Sequence, residues 1–283
     1  MTPNDIIIRR LATFEEYVAC EELQQICWQT TPLEAVPAHL MLTLQQESGL
    51  VLGAFTPEGQ LVGFVLGFLG REGERLKHCS HMAAVHPYYR DQNIGYRLKL
   101  AQREIVLAQG LTLSTWTYDP LEFRNAVLNI AKLGATANVY KRNIYGQRLG
   151  GLNAALPTDR FQVQWELLSE RVQQVVASGG RVEAPAASDP AVFLTRVAIE
   201  NDVPVLVATG PVSDAPLIGV QVPANFQHVK RLNVDVARQW RAGTRALFET
   251  AFRAGYVVIN ATPDPVRPDV FGVYTLAQGL VTE

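Results

Sequence analysis

An α/β fold built on a mixed sheet, with a C-terminal α/β extension, is what the sequence predicts, and three observations predict it. Apolar, β-branched segments alternate with helical ones in the order β-α-α-β-β-β-α-β-α-β-β over roughly the first 170 residues. The clearest helix sets Ile94, Leu98, Ala101, Ile105 and Ala108 at steps of four and three, which is one buried stripe. The stretch 178–190 is small, polar and proline-bearing, so it reads as a linker, and further strands and helices follow it.

Ile6–Leu11 is β-branched and apolar and starts a strand. Phe14–Trp28 carries Val18, Leu23, Ile26 and Cys27 among glutamates, a helical layout, and Pro37 opens a second helix to about Glu47. Leu50–Phe55 and Leu61–Phe68 are apolar strands joined by Thr56-Pro57-Glu58-Gly59-Gln60, a hairpin turn, and Cys79–Val85 is a third strand. The helix from Ile94 is expected to leave Arg97, Lys99, Arg103 and Glu104 outside and to end at Gly110. A strand at Leu111–Tyr118, a helix at Leu121–Leu133 closed by Gly134, and strands near Ala135–Ile144 and Phe161–Leu167 complete the first part.

In the extension, 203–208 and 217–222 read as strands, and Asn233–Ala254 as a long helix. Val236, Ala237, Trp240, Thr244, Leu247, Phe248 and Ala251 form its buried stripe. Arg238, Arg241 and Arg245 fall on a face expected to be solvated, with Arg245 in reach of Glu249. Tyr256–Asn260 is another strand. Thr262-Pro263-Asp264-Pro265 echoes Thr117-Tyr118-Asp119-Pro120, and Val222-Pro223 echoes Val85-His86-Pro87. The extension therefore reads either as a decayed half-repeat of the first part or as a coincidence of short motifs. The domains expected are 1–170 and 171–283, the second packed on the first beside the strands after Gly134.

Composition narrows the function. The 283 residues are 48 % hydrophobic and 18 % charged, as in a folded globular protein. Twenty-five basic against 27 acidic side chains give a net charge of −2, without the basic excess that phosphate-backbone binding draws on, so no nucleic-acid partner is expected. The longest apolar run, Leu61–Gly70, is too short to cross a bilayer, and Met1-Thr2-Pro3-Asn4-Asp5 is not signal-like, so no membrane partner and a cytoplasmic location are expected. Cys20, Cys27 and Cys79 form no Cys-x-x-Cys pair, which argues against a disulfide framework and a structural zinc site. His78-Cys79-Ser80-His81 could suggest a metal. Strand alternation puts Cys79 and His81 on one face and His78 on the other, leaving two ligands where zinc takes three or more, so no metal is expected.

The chemistry concentrates where the strand through Ala84-Val85-His86-Pro87 runs into Arg90-Asp91-Gln92-Asn93-Ile94-Gly95 and a helix. A strand feeding a tight loop into a helix N-terminus aims backbone N–H groups and a positive dipole end at an anion. With that element order, the segment resembles the GNAT acyl-CoA N-acyltransferase superfamily, in the branch of predicted acetyltransferases with a C-terminal extension. The family loop is Arg/Gln-x-x-Gly-x-Gly/Ala; Arg90 and Gly95 match it, and Asn93 holds the first glycine position, where Asn tolerates a positive φ. Asn125-Ala126 and Lys132-Leu133-Gly134-Ala135 resemble the family's Asn-x-x-Ala…Tyr-Glu-Lys-Leu-Gly-Phe segment, with Ile130 where the family has a tyrosine that often protonates the departing CoA thiolate.

The resemblance implies a GNAT fold over about residues 6–168 and an acetyl-CoA or other acyl-CoA cosubstrate. It implies that Arg90, Asp91, Gln92, Asn93, Ile94 and Gly95 cradle the pyrophosphate, that backbone groups at Ala84 and Val85 pair with pantetheine and polarise the thioester carbonyl, and that Asn125 bonds pantetheine. Family members can carry a catalytic Glu about where Cys79 falls. His81, one pleat step on, can serve as the base, and Tyr140 as the replacement acid. Plainer readings stand beside these: an ordinary strand-to-helix loop, a core valine, an exposed Asn125, a packed His81. Tyr118, Asp119 and Glu122 are weaker acid–base candidates, and Trp28-Gln29-Thr30-Thr31-Pro32 with Gly146–Arg160 would wall the acceptor pocket. Arg160 is either a fork for a substrate carboxylate or a surface charge. The function expected is N-acylation of a primary amine of a small molecule, such as an amino acid derivative. The rivals are a non-catalytic acyl-CoA-binding module and a nucleotide-binding protein, the latter disfavoured because neither Gly-x-x-x-x-Gly-Lys-Ser/Thr nor Gly-x-Gly-x-x-Gly is present.

Overall fold

The computed structural model describes residues 5–146, 156–180, 190 and 192–279. Most of the expected linker at 178–190 and of the expected pocket wall at Gly146–Arg160 lies outside them. The chain falls into two compact units. The first runs to Trp116 and takes in Glu166–Leu168; the second begins at Thr117, takes in 117–146 and 156–165, and continues from Ser169.

In the first unit, β1 (Ile7–Arg10), β2 (Leu50–Phe55), β3 (Leu61–Glu72), β4 (Arg75–Val85) and β5 (Leu113–Tyr118, which runs on into the second unit) lie side by side in chain order. The first four pair antiparallel, whereas β5 joins β4 in parallel. Helices α1 (Phe14–Trp28) and α2 (Ala38–Glu47) cover one face, where Tyr17, Cys20, Leu23 and Met41 meet Val51, Phe64 and Leu66. Helix α3 (Ile94–Ala108) covers the other, where Ile94 and Leu98 meet Leu52, Val62 and Val65. β2 is buried along its whole length because both faces are covered.

Helix α3 corrects the expected faces: Ala108, placed on the buried stripe, is exposed, Arg97 and Arg103 are half-buried, and of the four residues expected outside only Glu104 is exposed. Lys99 is 3 % exposed and sits on the buried side with Gln102, because polar partners from β4 wait beneath it. The β3–β4 hairpin is also longer than its apolar core suggests, extending to a turn at Gly73 through alternating charged residues.

In the second unit, α4 (Phe123–Ala126) runs on as a π-helix over Val127–Lys132 and closes at Gly134, whose φ of 72° needs a residue without a Cβ. The sheet order is β7 (Arg160–Glu166), β6 (Thr136–Lys141), β12 (Tyr256–Pro263), β13 (Phe271–Gln278), β11 (Leu217–Pro223) and β8 (Val192–Phe193). β9 (Thr195–Glu200) and β10 (Val203–Thr209) form a separate hairpin. Val258 of β12 is the partner of Ala137 in β6. Helix α5 (Glu170–Ala177), capped by Ser169 on the Val172 N–H, precedes the extension's strands, and α6 (Phe226–Leu232) and α7 (Val234–Arg253) lie between β11 and β12. The buried stripe of α7 is as expected, with Trp240 donating to the Pro204 carbonyl at 2.8 Å.

The half-repeat expectation meets a different arrangement. β4 and β5 are direct neighbours across α3, whereas β13 lies between β11 and β12 and pairs antiparallel with both.

Candidate active site

In the first unit His78 of β4 pairs with Ser114 of β5, and Cys79 with Thr115. β4 continues to Val85 against β3. Along that stretch the β3–β4 register shifts: Leu66 faces Met82 and Gly67 faces Ser80, leaving His81 as the extra residue of a bulge. The alternation assumed for His78 to His81 holds up to that bulge. His78 and Ser80 bond side chains of α3, and the His81 ring lies 5.9 Å from Phe68, the register partner of Cys79. His81 as a whole residue stays exposed, but partial desolvation of its ring lowers the His81 pKa below the ordinary histidine value, which favours the neutral imidazole that can take up a proton.

Beyond β4 the chain turns sharply. The His86 N–H donates to the Val62 carbonyl at 2.9 Å, Pro87–Tyr89 make one 3-10 turn, and the His86 Nδ1 accepts from the Tyr88 N–H. The Arg90 Nε donates back to the Val85 carbonyl at 3.3 Å, and the same carbonyl accepts from the Cys27 thiol of α1. Arg90 and Val85 are thus joined within one loop, with Ala84 buried beside them. Asp91 has φ 65° and Asn93 φ 60°, so two left-handed residues flank Gln92. Asn93 takes the conformation that its residue type tolerates, makes no side-chain cap, and hands the chain to Ile94 and Gly95 in the first turn of α3. Alternating backbone conformations of this kind turn successive N–H groups toward a common point, an anion cradle supplemented by the helix dipole.

The remaining candidates belong to the second unit. Asn125 is exposed in α4, its N–H bonded to the Glu122 carbonyl at 2.8 Å, and Ile130 is fully buried. Tyr140 donates its hydroxyl proton to Asp159 at 2.7 Å; burial, with the Asp159 carboxylate adjacent, pushes its pKa far up. Asp159 is also gripped by Arg245, at 2.7 and 3.0 Å, and Asp119 by Arg241, at 2.8 and 2.5 Å. Burial works against the Asp119 charge, yet Arg241 and Arg160 hold its pKa below the usual carboxylate range. Glu122 goes the other way: burial and the nearby Asp119 raise it, although Gln227 donates to it. Tyr118 shares a 3.2 Å hydroxyl contact with Tyr274.

Two charge assignments are corrected here. Arg160 is 8 % exposed and 3.6 Å from Asp119, so it is not a surface charge, and Arg241 lies inside rather than on a solvated face. Arg245 pairs with Asp159, while Glu249 pairs with Arg142. For Arg160, Arg241 and Arg245 the reason is the same: a carboxylate distant in sequence is folded against the guanidinium and compensates its loss of solvent. Asp159, Lys99 and Gln102 were missed, since none stands in a local motif.

No family model and no curated protein matches the chain. It is similar to several solved structures. An acetyltransferase of the GNAT family from Streptococcus pneumoniae is 17 % identical and covers 56 % of this chain and 98 % of its own, with a TM-score of 0.45. Aminoglycoside 6'-acetyltransferase type Ii is 17 % identical, covers 58 % and 98 %, and has a TM-score of 0.44. The NatC complex bound to Gag peptide and CoA is 14 % identical, covers 57 % and 98 %, and has a TM-score of 0.47. Two of these three are acetyltransferases by name, and the third is bound to CoA.

Proposed function

We propose that the chain is an acyl-CoA-dependent N-acyltransferase that moves an acetyl or other short acyl group to a primary amine of a small molecule, such as an amino acid derivative. One observation carries this reading: β4 leaves β5 after the Cys79–Thr115 pair and feeds a loop with left-handed Asp91 and Asn93 into the N-terminus of α3. The cradle from Arg90 to Gly95 would hold the pyrophosphate of the cosubstrate. The β4 backbone at Ala84 and Val85 would lie along its pantetheine arm. Holding thioester and amine together converts a bimolecular attack into a step within one ternary complex. The amine nitrogen attacks the thioester carbonyl, its proton passes to the neutral His81, the C–S bond breaks, and CoA leaves as thiolate.

Coenzyme A is expected to raise the melting temperature of the wild-type chain, with ATP and NAD as comparison ligands, because a ligand selective for the folded state adds RT ln(1 + [L]/Kd). Gly95→Val, which puts a branched side chain into the first turn of α3, should abolish the shift. No stabilisation by millimolar CoA would overturn the assignment. Turnover of acetyl-CoA with a panel of primary amines separates the enzyme from a module that only binds acyl-CoA.

A further inference from the structure

Beneath the last β4–β5 rung lies a polar cluster that the proton transfer described above does not use. The Lys99 Nζ donates to the Ser80 hydroxyl and to the Gln102 Oε1, each at 2.9 Å, and stands 3.6 Å from the centre of the Trp116 ring. The Gln102 amide nitrogen lies 3.1 Å from the His78 Nε2. Lys99, Ser80, Gln102, His78 and Ser114 are all buried. Gly67 makes the room, since a Cβ there would stand 2.2 Å from the His78 Nε2. Two atoms of the cluster, the His78 Nδ1 and the Ser114 hydroxyl, are buried without a hydrogen-bond partner among the described residues, on residues that face each other across β4 and β5.

Such a cluster is costly. An amine, an imidazole and a carboxamide are withdrawn from water, and burial pushes Lys99 well below the ordinary lysine range and His78 to about 3. An apolar side chain of the same length would fill the place of Lys99 without that cost. The cost falls at one point of the fold. Ser80 stands between Cys79, the last residue of β4 in register with β5, and His81, the bulged residue.

We propose that Lys99 is a positioning residue for acyl-CoA, and that its bond to Ser80 fixes β4 where the strand leaves β5, setting the backbone from Met82 to Val85 that the pantetheine arm lies along. The inference rests on the acyl-CoA reading given above. It makes the buried amine a brace for a binding edge, bonded to Ser80 and Gln102 and capped by Trp116, and it places the bulge at His81 under the control of a residue on the helix that also forms the cradle.

The test compares Lys99→Met, Ser80→Ala and the double variant in the full chain, by calorimetric titration with CoA and by the KM for acetyl-CoA. Each single change should weaken CoA binding and raise that KM roughly five- to tenfold, the size expected for a lost hydrogen bond to a positioned group. The KM for the amine should stay unchanged, and the double variant should lose less than the product of the two single losses, since both remove the Lys99–Ser80 bond although each also removes its own bond to the Gln102 Oε1. Lys99→Met should melt no lower than the wild type. CoA affinity within about twofold of wild type in both singles, or losses that multiply in the double, overturn the inference. Ser80→Ala, which removes one hydroxyl, carries the same readout if Lys99→Met does not fold. A wild-type chain that does not bind CoA overturns the acyl-CoA reading and this inference with it; a wild type that binds, with variants that bind as tightly, overturns this inference alone.

Discussion

His81 takes up a proton only as neutral imidazole, and the partial desolvation of its ring lowers the pH at which that form is lost. The acid limb of kcat/KM is therefore expected below pH 6.5, with activity falling as pH drops through the depressed pKa. His81→Ala should lower turnover about 10²-fold and remove that limb. A pH profile unchanged in the variant would return His81 to a packed ring beside Phe68. Neighbouring residues show how far single positions can be read ahead of the fold. Asn93 was legible, because few side chains other than Gly accept φ near +60° and the loop demanded such a residue. Lys99 was not, because its place on the wheel of α3 bordered the apolar stripe, and only Ser80, far off in sequence, decides that it turns inward. The extra residue at His81 was likewise invisible, since a bulge is set by the register of two strands and not by either alone.

At the scale of elements, helices with a one-sided apolar stripe were legible to within a residue or two. The α7 stripe shows this, whereas in Phe14–Trp28 the bounds were legible but the face was not, since Val18 and Ile26 are exposed. β13 gave no such signal: it is buried along nearly all its length, so it lacks the alternation that marks a half-exposed strand. The continuation of α4 as a π-helix was hidden too, because the wider turn answers to packing around Gly134 rather than to helix propensity. The basic side of α7 illustrates a pairing that only folding reveals. Arg241 reaches Asp119 with two hydrogen bonds, and its side chain is 4 % exposed. Arg241→Met is expected to leave the buried Asp119 charge with Arg160 at 3.6 Å as its remaining cation and to cost about 3 kcal/mol, read from the urea midpoint at constant m-value. Exposed Arg238, paired with Asp235 on the same helix, serves as the control and should change stability by less than about 0.5 kcal/mol when replaced by Ala.

At the scale of the molecule, alternating strands and helices made the α/β class legible. The Phe161 ring, from the part of the chain before residue 170, stacks within 4.7 Å of Phe248, 5.4 Å of Phe252 and 5.7 Å of Tyr274. A chain ending at Arg171 loses all three rings, along with the Arg241 and Arg245 partners of Asp119 and Asp159. It is expected to aggregate or to bind a hydrophobic dye strongly on size-exclusion chromatography. A soluble, monomeric truncation with unchanged turnover would show that the 117–165 stretch holds together without the extension.

The place of β13 between β11 and β12 bears on the order in which the protein is made. The second unit's sheet lacks a central strand until residue 278 has left the ribosome, so Phe161, Trp165 and the α4 segment must wait, apolar and unburied, while the later residues are synthesised. At ordinary elongation rates that interval is on the order of ten seconds, long against the time in which an exposed chain finds a wrong partner. The first unit, whose strands follow one another in chain order, can assemble its β1–β4 sheet as it emerges. Demand for a holding chaperone during synthesis therefore falls on the second half of the chain.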